Sequence, residues 1–413
     1  MKRSADVIIT GAGPAGAATA LLLARAGVDV LLLDRAPFPR PKPCGDCLSI
    51  GATAVLDRLG ILDPLLAARH ARLRGWRIVA PNGSAFHAPF SRQSDVGTAS
   101  LRGRALSVER SVLDALILDA AIMAGARIER QAVTELVRDS HGCVTGVLTR
   151  AGTYTAAITV GADGLRSIVA MRLGAVAAAG SLRKLSLTWH LPVQDADLTG
   201  EMHTGDGICA GLAPIAQDGV CNITIVANAA RFGRTVAHDP AAFAHSAIES
   251  LPRLRGRVPL TALRSATPLA SGPFDRPVRR VAFDGAVLVG DAAGYYDPFT
   301  GQGVYQALAS AELLAPAVEM ALRTGNCRSG AFRQYAHERT ALLRGPRFVQ
   351  RGIEFILCRP ALANRAIARI RRAPDFGRAI ISVTGDIAPA RALLSRRALS
   401  GLLFAPTLPE NSA

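Results

Sequence analysis

Gly11, Gly13 and Gly16, followed by Asp34, are the residues whose types and spacing most directly imply chemistry in this chain. They belong to Gly11-Ala12-Gly13-Pro14-Ala15-Gly16, which follows the apolar run Val7-Ile8-Ile9 and leads into a helical stretch ending near Arg25. A second apolar run, Val28 to Leu33, stops at Asp34. The order is strand, glycine turn, helix, strand, acid. In that order Gly11 serves the tight turn, Gly13 leaves the backbone open to a pyrophosphate, and Gly16 lets helix and strand pack closely. The helix start offers free N–H groups and the positive end of its dipole to phosphates. A carboxylate about 20 residues beyond the glycines stands where the hydroxyls of an adenosine ribose can donate to it. The stretch predicts dinucleotide binding.

Other reactive side chains are scattered. Cys44 and Cys47 form a C-x-x-C pair at the end of a loop stiffened by Pro37, Pro39, Pro41 and Pro43. A thioredoxin-like role needs the pair at a helix start in its own βαβ unit, and zinc needs two further ligands at matched spacing. Neither condition is met, so no metal is expected and the loop is taken to face the bound nucleotide. His190, beside Trp189, and His203 could serve as general bases near neutral pH, but are read first as structural histidines.

The elements that must position these residues are legible in outline. A periodic helix is expected over Val112 to Ala124, closed by Gly125, after which short strands alternate. Ala157 to Gly161 predicts an apolar strand ending in Ala162-Asp163-Gly164. From about Arg183 the pattern changes to a separate sheet, and the first pattern returns at Ala286 to Gly294, before a helix from Val304 to about Leu322. The nucleotide domain is therefore discontinuous, comprising 1–80, 101–182 and 279–330, with 81–100 and 183–278 as a substrate domain and 331–413 as a helical C-terminal region.

Composition narrows the class. A chain of 413 residues is long for one core, and no run of about 18 uncharged apolar residues suggests a membrane span. The N-terminus lacks the form of a signal peptide, so a cytoplasmic protein is expected, with its seven cysteines reduced. The formal charge of +16 comes almost wholly from arginine, since Lys2, Lys42 and Lys184 are the only lysines. That pattern fits coding bias, and no nucleic-acid motif accompanies it. The tail from Arg344 interleaves arginines with Phe348, Phe355, Leu357 and Ile367, a pattern that allows peripheral contact with a membrane surface as well as packing on the protein's own core.

Together, Gly11 to Gly16 with Asp34, Gly161-Ala162-Asp163-Gly164, and Gly290-Asp291-Ala292-Ala293 through Gly303 resemble the fingerprints of the FAD-dependent p-hydroxybenzoate hydroxylase superfamily. The likeness covers residues 1 to about 325. It implies an α/β fold: a Rossmann-like FAD-binding domain of the GR2 type, an inserted antiparallel β-sheet substrate domain and a helical C-terminal region. Carried over residue by residue, it implies that Gly11, Gly13, Pro14, Ala15, Gly16, Asp34 and Arg35 hold the adenosine half. Arg110 then meets the phosphates, Asp163 lies near the pyrophosphate, and Gly290 and Asp291 hold the ribityl chain. Cys44, Gly45, Pro298, Gly301, Gln302 and Gly303 adjoin the isoalloxazine, where Cys44, Pro298 and Gly301 are the candidates for catalysis. A helix starting at the ring would stabilise negative charge on reduced flavin.

Lys42-Pro43-Cys44-Gly45-Asp46-Cys47-Leu48-Ser49 looks most like the Cys-Gly segment of geranylgeranyl reductases in that superfamily. The chain departs from them at Cys209-Ala-Gly211-Leu-Ala213-Pro214, where reductases carry aromatics, and it lacks the Trp-x-Trp-x-Ile-Pro signature of tryptophan halogenases. The resemblance implies an FAD monooxygenase using NAD(P)H, docked transiently, on a lipophilic or aromatic small molecule. The alternative is a geranylgeranyl reductase-like enzyme that reduces isoprenoid C=C bonds; a halogenase or a flavoprotein without turnover is a more distant expectation. A hydroxylase of this kind asks binding, orientation and water exclusion of its protein, so no catalytic triad is expected.

Overall fold

The computed structural model describes residues 3–90, 104–178, 180, 182–216 and 219–403. The opening unit forms as its pattern predicts: β1 (Ser4–Thr10), α1 (Pro14–Arg25) and β2 (Val30–Asp34). β1 and β2 run parallel with Ile8 beside Leu31, and β2 is buried throughout, which is why both read as continuous apolar runs rather than alternating ones. Leu21 and Leu23 of α1 are fully buried, each contributing roughly 1.5–3 kcal/mol.

The chain continues with α2 (Ile50–Arg58), the hairpin β3 (Gly75–Val79) and β4 (Ala85–Pro89), and α3 (Arg110–Met123). Next come β5 (Arg127–Arg130), β6 (Val133–Arg138), β7 (Val144–Thr149) and β8 (Gly152–Gly161). Then follow β9 (Lys184–Pro192), β10 (Gly200–Thr204), β11 (Ile208–Pro214), β12 (Val220–Asn228) and β13 (Leu269–Ser271). After β14 (Ala286–Leu288), the long helices are α4 (Gly303–Thr324), α5 (Arg333–Leu357), α6 (Pro360–Arg371) and α7 (Pro374–Thr384).

Two large sheets result. In the first, β14-β8-β1-β2-β5 lie in parallel order, with the short strand Ala282–Phe283 beyond β14, and β6 and β7 added antiparallel beside β8. α1 packs between this sheet and the helices α3 and α4. The second sheet has the order β13-β9-β12-β11-β10-β3-β4. It is antiparallel, as expected, except where β3 runs parallel to β10. Gly200 makes that approach possible, because a Cβ there would meet the Trp76 ring at 2.8 Å.

The pairing also moves a boundary. β3 belongs to the second sheet, so 75–79 leaves the 1–80 segment assigned to the nucleotide domain. Residues 91–100 of the expected substrate domain and 404–413 of the expected C-terminal region lie outside the described residues. The C-terminal region is helical, and α6 and α7 pack on β4, where Phe86, Ala88, Ile367 and Ile381 are buried together.

Candidate functional site

The three glycine motifs converge at the C-terminal ends of the adjacent parallel strands β1, β8 and β14, the position where open α/β sheets bind ligands. Ala162 N–H donates to Thr10 C=O at 2.8 Å and Val289 N–H to Gly161 C=O at 2.9 Å, which links the turns directly. Gly11 has φ 95°, and a Cβ there would meet Ala162 O at 2.6 Å. At Gly16 a Cβ would lie 1.9 Å from Gly11 O. Gly13 differs: its φ of −72° suits any residue, and a Cβ would find no atom within 4 Å. It faces open space, as close approach of a ligand to the backbone requires. No side chain caps α1, whose first turn includes Pro14 and Ala15, so its N–H groups remain available.

The acids divide into occupied and free. Asp34 Oδ2 accepts Ala12 N–H at 2.8 Å and Arg40 Nη2 at 3.0 Å, while Oδ1 accepts Ala36 N–H at 3.0 Å; the carboxylate braces the glycine turn from below. Arg35 is exposed. Asp163 takes Ser167 Oγ at 2.5 Å and Ile168 N–H at 2.7 Å, so it holds the start of the helix Ile168–Arg172. Burial raises its carboxyl above the usual range, against those hydrogen bonds. The Asp291 carboxylate, next to Gly290, makes no hydrogen bond or ion pair among the described residues, although its backbone C=O accepts Gly294 N–H at 3.0 Å. Burial raises its carboxyl too, with Lys42, Arg110 and Arg339 opposing. An acceptor left free beside three cations suits a ligand hydroxyl.

Lys42 was not among the expected site residues. It is half-buried, lacks any hydrogen bond among the described residues, and lies near Asp291 and Arg110. Burial lowers its ammonium below the ordinary value, with Arg110 adding to the effect. Arg110 is already engaged by Asp114, at 2.7 and 2.8 Å, and faces Cys44. A pyrophosphate would relieve both cations. The signal was present in the sequence: in a chain with so many arginines, two of the three lysines, Lys42 and Lys184, occupy this region.

The Cys44–Cys47 loop is pinned from the second sheet. Asn222 Nδ2 donates to Cys44 C=O and to Asp46 Oδ2, each at 2.7 Å, and His190 Nε2 lies 2.6 Å from the same Asp46 oxygen. That hydrogen bond raises His190 above its ordinary value. Asp46 Oδ1 accepts Arg110 N–H at 3.2 Å, so the loop, β9, β12 and α3 share one polar joint. Gly45 is exposed within it. Burial pushes the Cys44 thiol up, with Arg110 opposing, and pushes Cys47 well up, so both are thiols at neutral pH. His203 is buried against Glu201 at 2.6 Å, in a network with Arg77 and Arg257, which fits the structural reading of it.

Pro298, Gly301, Gln302 and Gly303 form the turn into α4, whose N-terminus likewise has no side-chain cap. Gly301 has φ 69° and open space at its Cβ position. Lys184 binds Asp297 at 3.1 Å and also Glu354 of α5, and Gln350 Nε2 donates to Thr300 Oγ1 at 2.8 Å. These bonds set α5 against the turn.

Between the turn, the second sheet and α5–α7 lies a cavity of about 290 Å³. Gly301 and Ser49 face it from the turn and α2, Trp76 and Phe86 from the sheet, Ile353 and Ile380 from the C-terminal helices. Among the described residues no Lys, Arg, His, Asp or Glu lines it. Phe348, which does, is 77% exposed, so the cavity reaches a rim at the surface. The aromatics that the second sheet gives it, Trp76 and Phe86, come from β3 and β4 rather than from β11, where reductases were expected to carry them. Because Cys47, Trp76, Gly301, Phe348 and Ile380 are remote in sequence, no local pattern announced it.

The residues fit FAD: uncapped helix starts, an open Gly13, the Lys42 ammonium without an ion pair among the described residues, the nearby Arg110, and an unbonded carboxyl at Asp291. Residues 4–346 match the family described as FAD binding domain. Among curated relatives, the menaquinone reductase of Mycobacterium tuberculosis is 32% identical, over 76% of this chain and 76% of its own. The 2-heptyl-3-hydroxy-4(1H)-quinolone synthase of Pseudomonas aeruginosa is 32% identical, over 75% and 79%. Digeranylgeranylglycerophospholipid reductase 1 of Methanothermobacter thermautotrophicus is 27% identical, over 81% and 82%. Among solved structures, the myxobacterial chondrochloren halogenase CndH shares the fold with a TM-score of 0.75 at 20% identity, covering 97% of this chain and 96% of that one.

Proposed function

Since this chain belongs to the FAD-binding-domain family and is an FAD-dependent oxidoreductase, we propose that it reduces an isoprenoid C=C bond in a lipophilic substrate. The observation that carries this reading is the cavity that ends at Gly301 and Ser49 and has no charged residue among the described ones that line it. A hydrocarbon tail can fill such a space without leaving a polar group unpaired, and in a prenyl tail the reducible bond is an alkene. Bound FAD would supply the two-electron reduction, replenished by NAD(P)H docking transiently. The chain's own contribution is to hold the phosphates at Lys42, Arg110 and the start of α1, to accept a ribityl hydroxyl at Asp291, and to exclude water around the alkene. Reductases of menaquinone and of digeranylgeranylglycerophospholipid among the relatives support the choice.

Monooxygenation of a lipophilic aromatic is the second reading, favoured by the similarity to the quinolone synthase. One experiment separates the two. The FAD-loaded protein is given NADPH or NADH with prenyl quinones and alkyl quinolones, with and without labelled oxygen, and product mass is measured. Two added hydrogens under anaerobic conditions support the reductase; product only with oxygen, carrying the label, overturns it in favour of the hydroxylase.

The rim supplies a route for such substrates. Phe348, Phe355 and Leu394 are 77, 57 and 72% exposed, and Arg359 lies 4.0 Å from the Phe355 ring. We propose that this basic, apolar rim rests reversibly on an anionic bilayer, from which the tail enters. No helix of the described residues is long and apolar enough to cross a membrane.

A further inference from the structure

Asp386 follows α7 with φ 60°, a conformation that Asp and Asn tolerate better than most residues. Its Oδ2 accepts the Ser49 hydroxyl at 2.6 Å and its Oδ1 accepts Gln302 Nε2 at 2.5 Å. Ser49 is the N-cap of α2, where its Oγ also takes Ala52 N–H at 3.1 Å. Gln302 immediately precedes α4, after the Gly301 turn. The backbone adds a link, Gly51 N–H to Gly385 C=O at 3.0 Å, and the fit is close: a Cβ at Gly51 would stand 2.5 Å from Asp386 Cβ. Ser49, Gly301, Thr384 and Gly385 all line the cavity. Three separate parts of the chain therefore meet at one carboxyl group.

We propose that Asp386 is a positioning residue: it clasps the C-terminal helices to Ser49 and Gln302 and so sets the Gly301–Gly303 turn against the apolar cavity. The inference rests on reading that turn as the neighbour of the flavin. Among the described residues no cation balances the carboxyl. The groups facing it are the Ser49 hydroxyl just before α2, the Gln302 amide just before α4, and the Tyr305 phenol of α4. Arg58 and Glu312, beyond Tyr305, are bonded to each other at 2.7 Å. Burial pushes Asp386 up to about 7, against the Ser49 and Gln302 bonds. As an acid it satisfies both neighbours without charge; as a carboxylate it buries an unpaired charge.

The test uses the full chain as wild type, Asp386→Asn and Asp386→Gly. Asn preserves the backbone conformation and both hydrogen bonds without charge; Gly preserves the backbone and deletes the clasp. With FAD bound, the wild-type visible spectrum should show one transition near pH 7, and FAD affinity should weaken about tenfold between about pH 6 and about pH 8 as the protonated fraction falls. Asp386→Asn should hold the low-pH spectrum throughout, and Asp386→Gly should never reach it. Thermal unfolding of the flavin-free chains supplies a second readout: the wild type should lose stability relative to Asp386→Asn as pH rises from about 4 to 7. A spectral transition that persists in Asp386→Asn, an Asp386→Gly protein with the low-pH spectrum, or parallel thermal curves would overturn the proposal. If the chain takes up no flavin, the flavin reading fails, and the thermal comparison still decides the clasp.

Discussion

Gly13 and Gly16 separate binding from folding in a way that mutation can read. Gly13→Ala adds a methyl where the protein has no atom within 4 Å and the backbone is already extended, so the melting temperature should barely change. FAD affinity, followed by quenching of flavin fluorescence, should fall at least about tenfold if phosphate approaches this amide. Gly16→Ala forces a Cβ to 1.9 Å from Gly11 O and should lower the melting temperature whether or not FAD is present. Lys42→Met makes the complementary case. It deletes a half-buried ammonium that has no hydrogen bond or ion pair among the described residues, so the flavin-free chain should be no less stable. Losing a charge-assisted hydrogen bond, worth about 1.5–3 kcal/mol, should cost FAD binding roughly tenfold to a hundredfold. Equal affinities for the wild type and Lys42→Met would remove Lys42 from the phosphate site.

The joint between β9, the Asp297 turn and α5 rests on Lys184, whose ammonium is held above its ordinary value by Asp297 and Glu354 against burial. Lys184→Met leaves both carboxylates buried without their cation. A loss of about 3–5 kcal/mol is expected in chemical denaturation, and Glu354→Gln, which removes only one charge, should cost less. Such joints mark the limit of what the amino-acid pattern discloses. β1–α1–β2 is local and its glycines act within a few residues, so the pattern alone locates it. Asp163 and Asp291 were recognisable through their glycines, although hydrogen bonding separates them into a helix-start acid and a free acceptor. The parallel pairing of β3 with β10 joins residues more than a hundred positions apart, and only Gly200 marks the contact, through a space it leaves empty. Asp386 and the cavity escaped for the same reason: their partners are brought together by the return of α5–α7 across the second sheet.

The distribution of charge and apolar surface over the molecule makes the rim testable apart from catalysis. With a net charge of +16 the protein is drawn to anionic surfaces at long range, but attraction alone does not choose an orientation. Phe348 and Phe355 can choose it, because they are large, exposed and about two helical turns apart on α5, with Phe348 also lining the cavity. Sedimentation with phosphatidylglycerol-containing vesicles should therefore pull down the wild type, and binding should weaken as salt screens the arginines. Phe348→Ser with Phe355→Ser should weaken vesicle binding about tenfold or more, given about 1.5–3 kcal/mol for burying a large apolar side chain, while charge and flavin spectrum stay unchanged. Turnover of a long-tailed substrate presented in vesicles should fall in parallel, whereas turnover of a short-tailed analogue free in solution should not. Equal vesicle binding by the double variant would leave the rim as the mouth of a cavity fed from solution, and the arginines as a general surface charge.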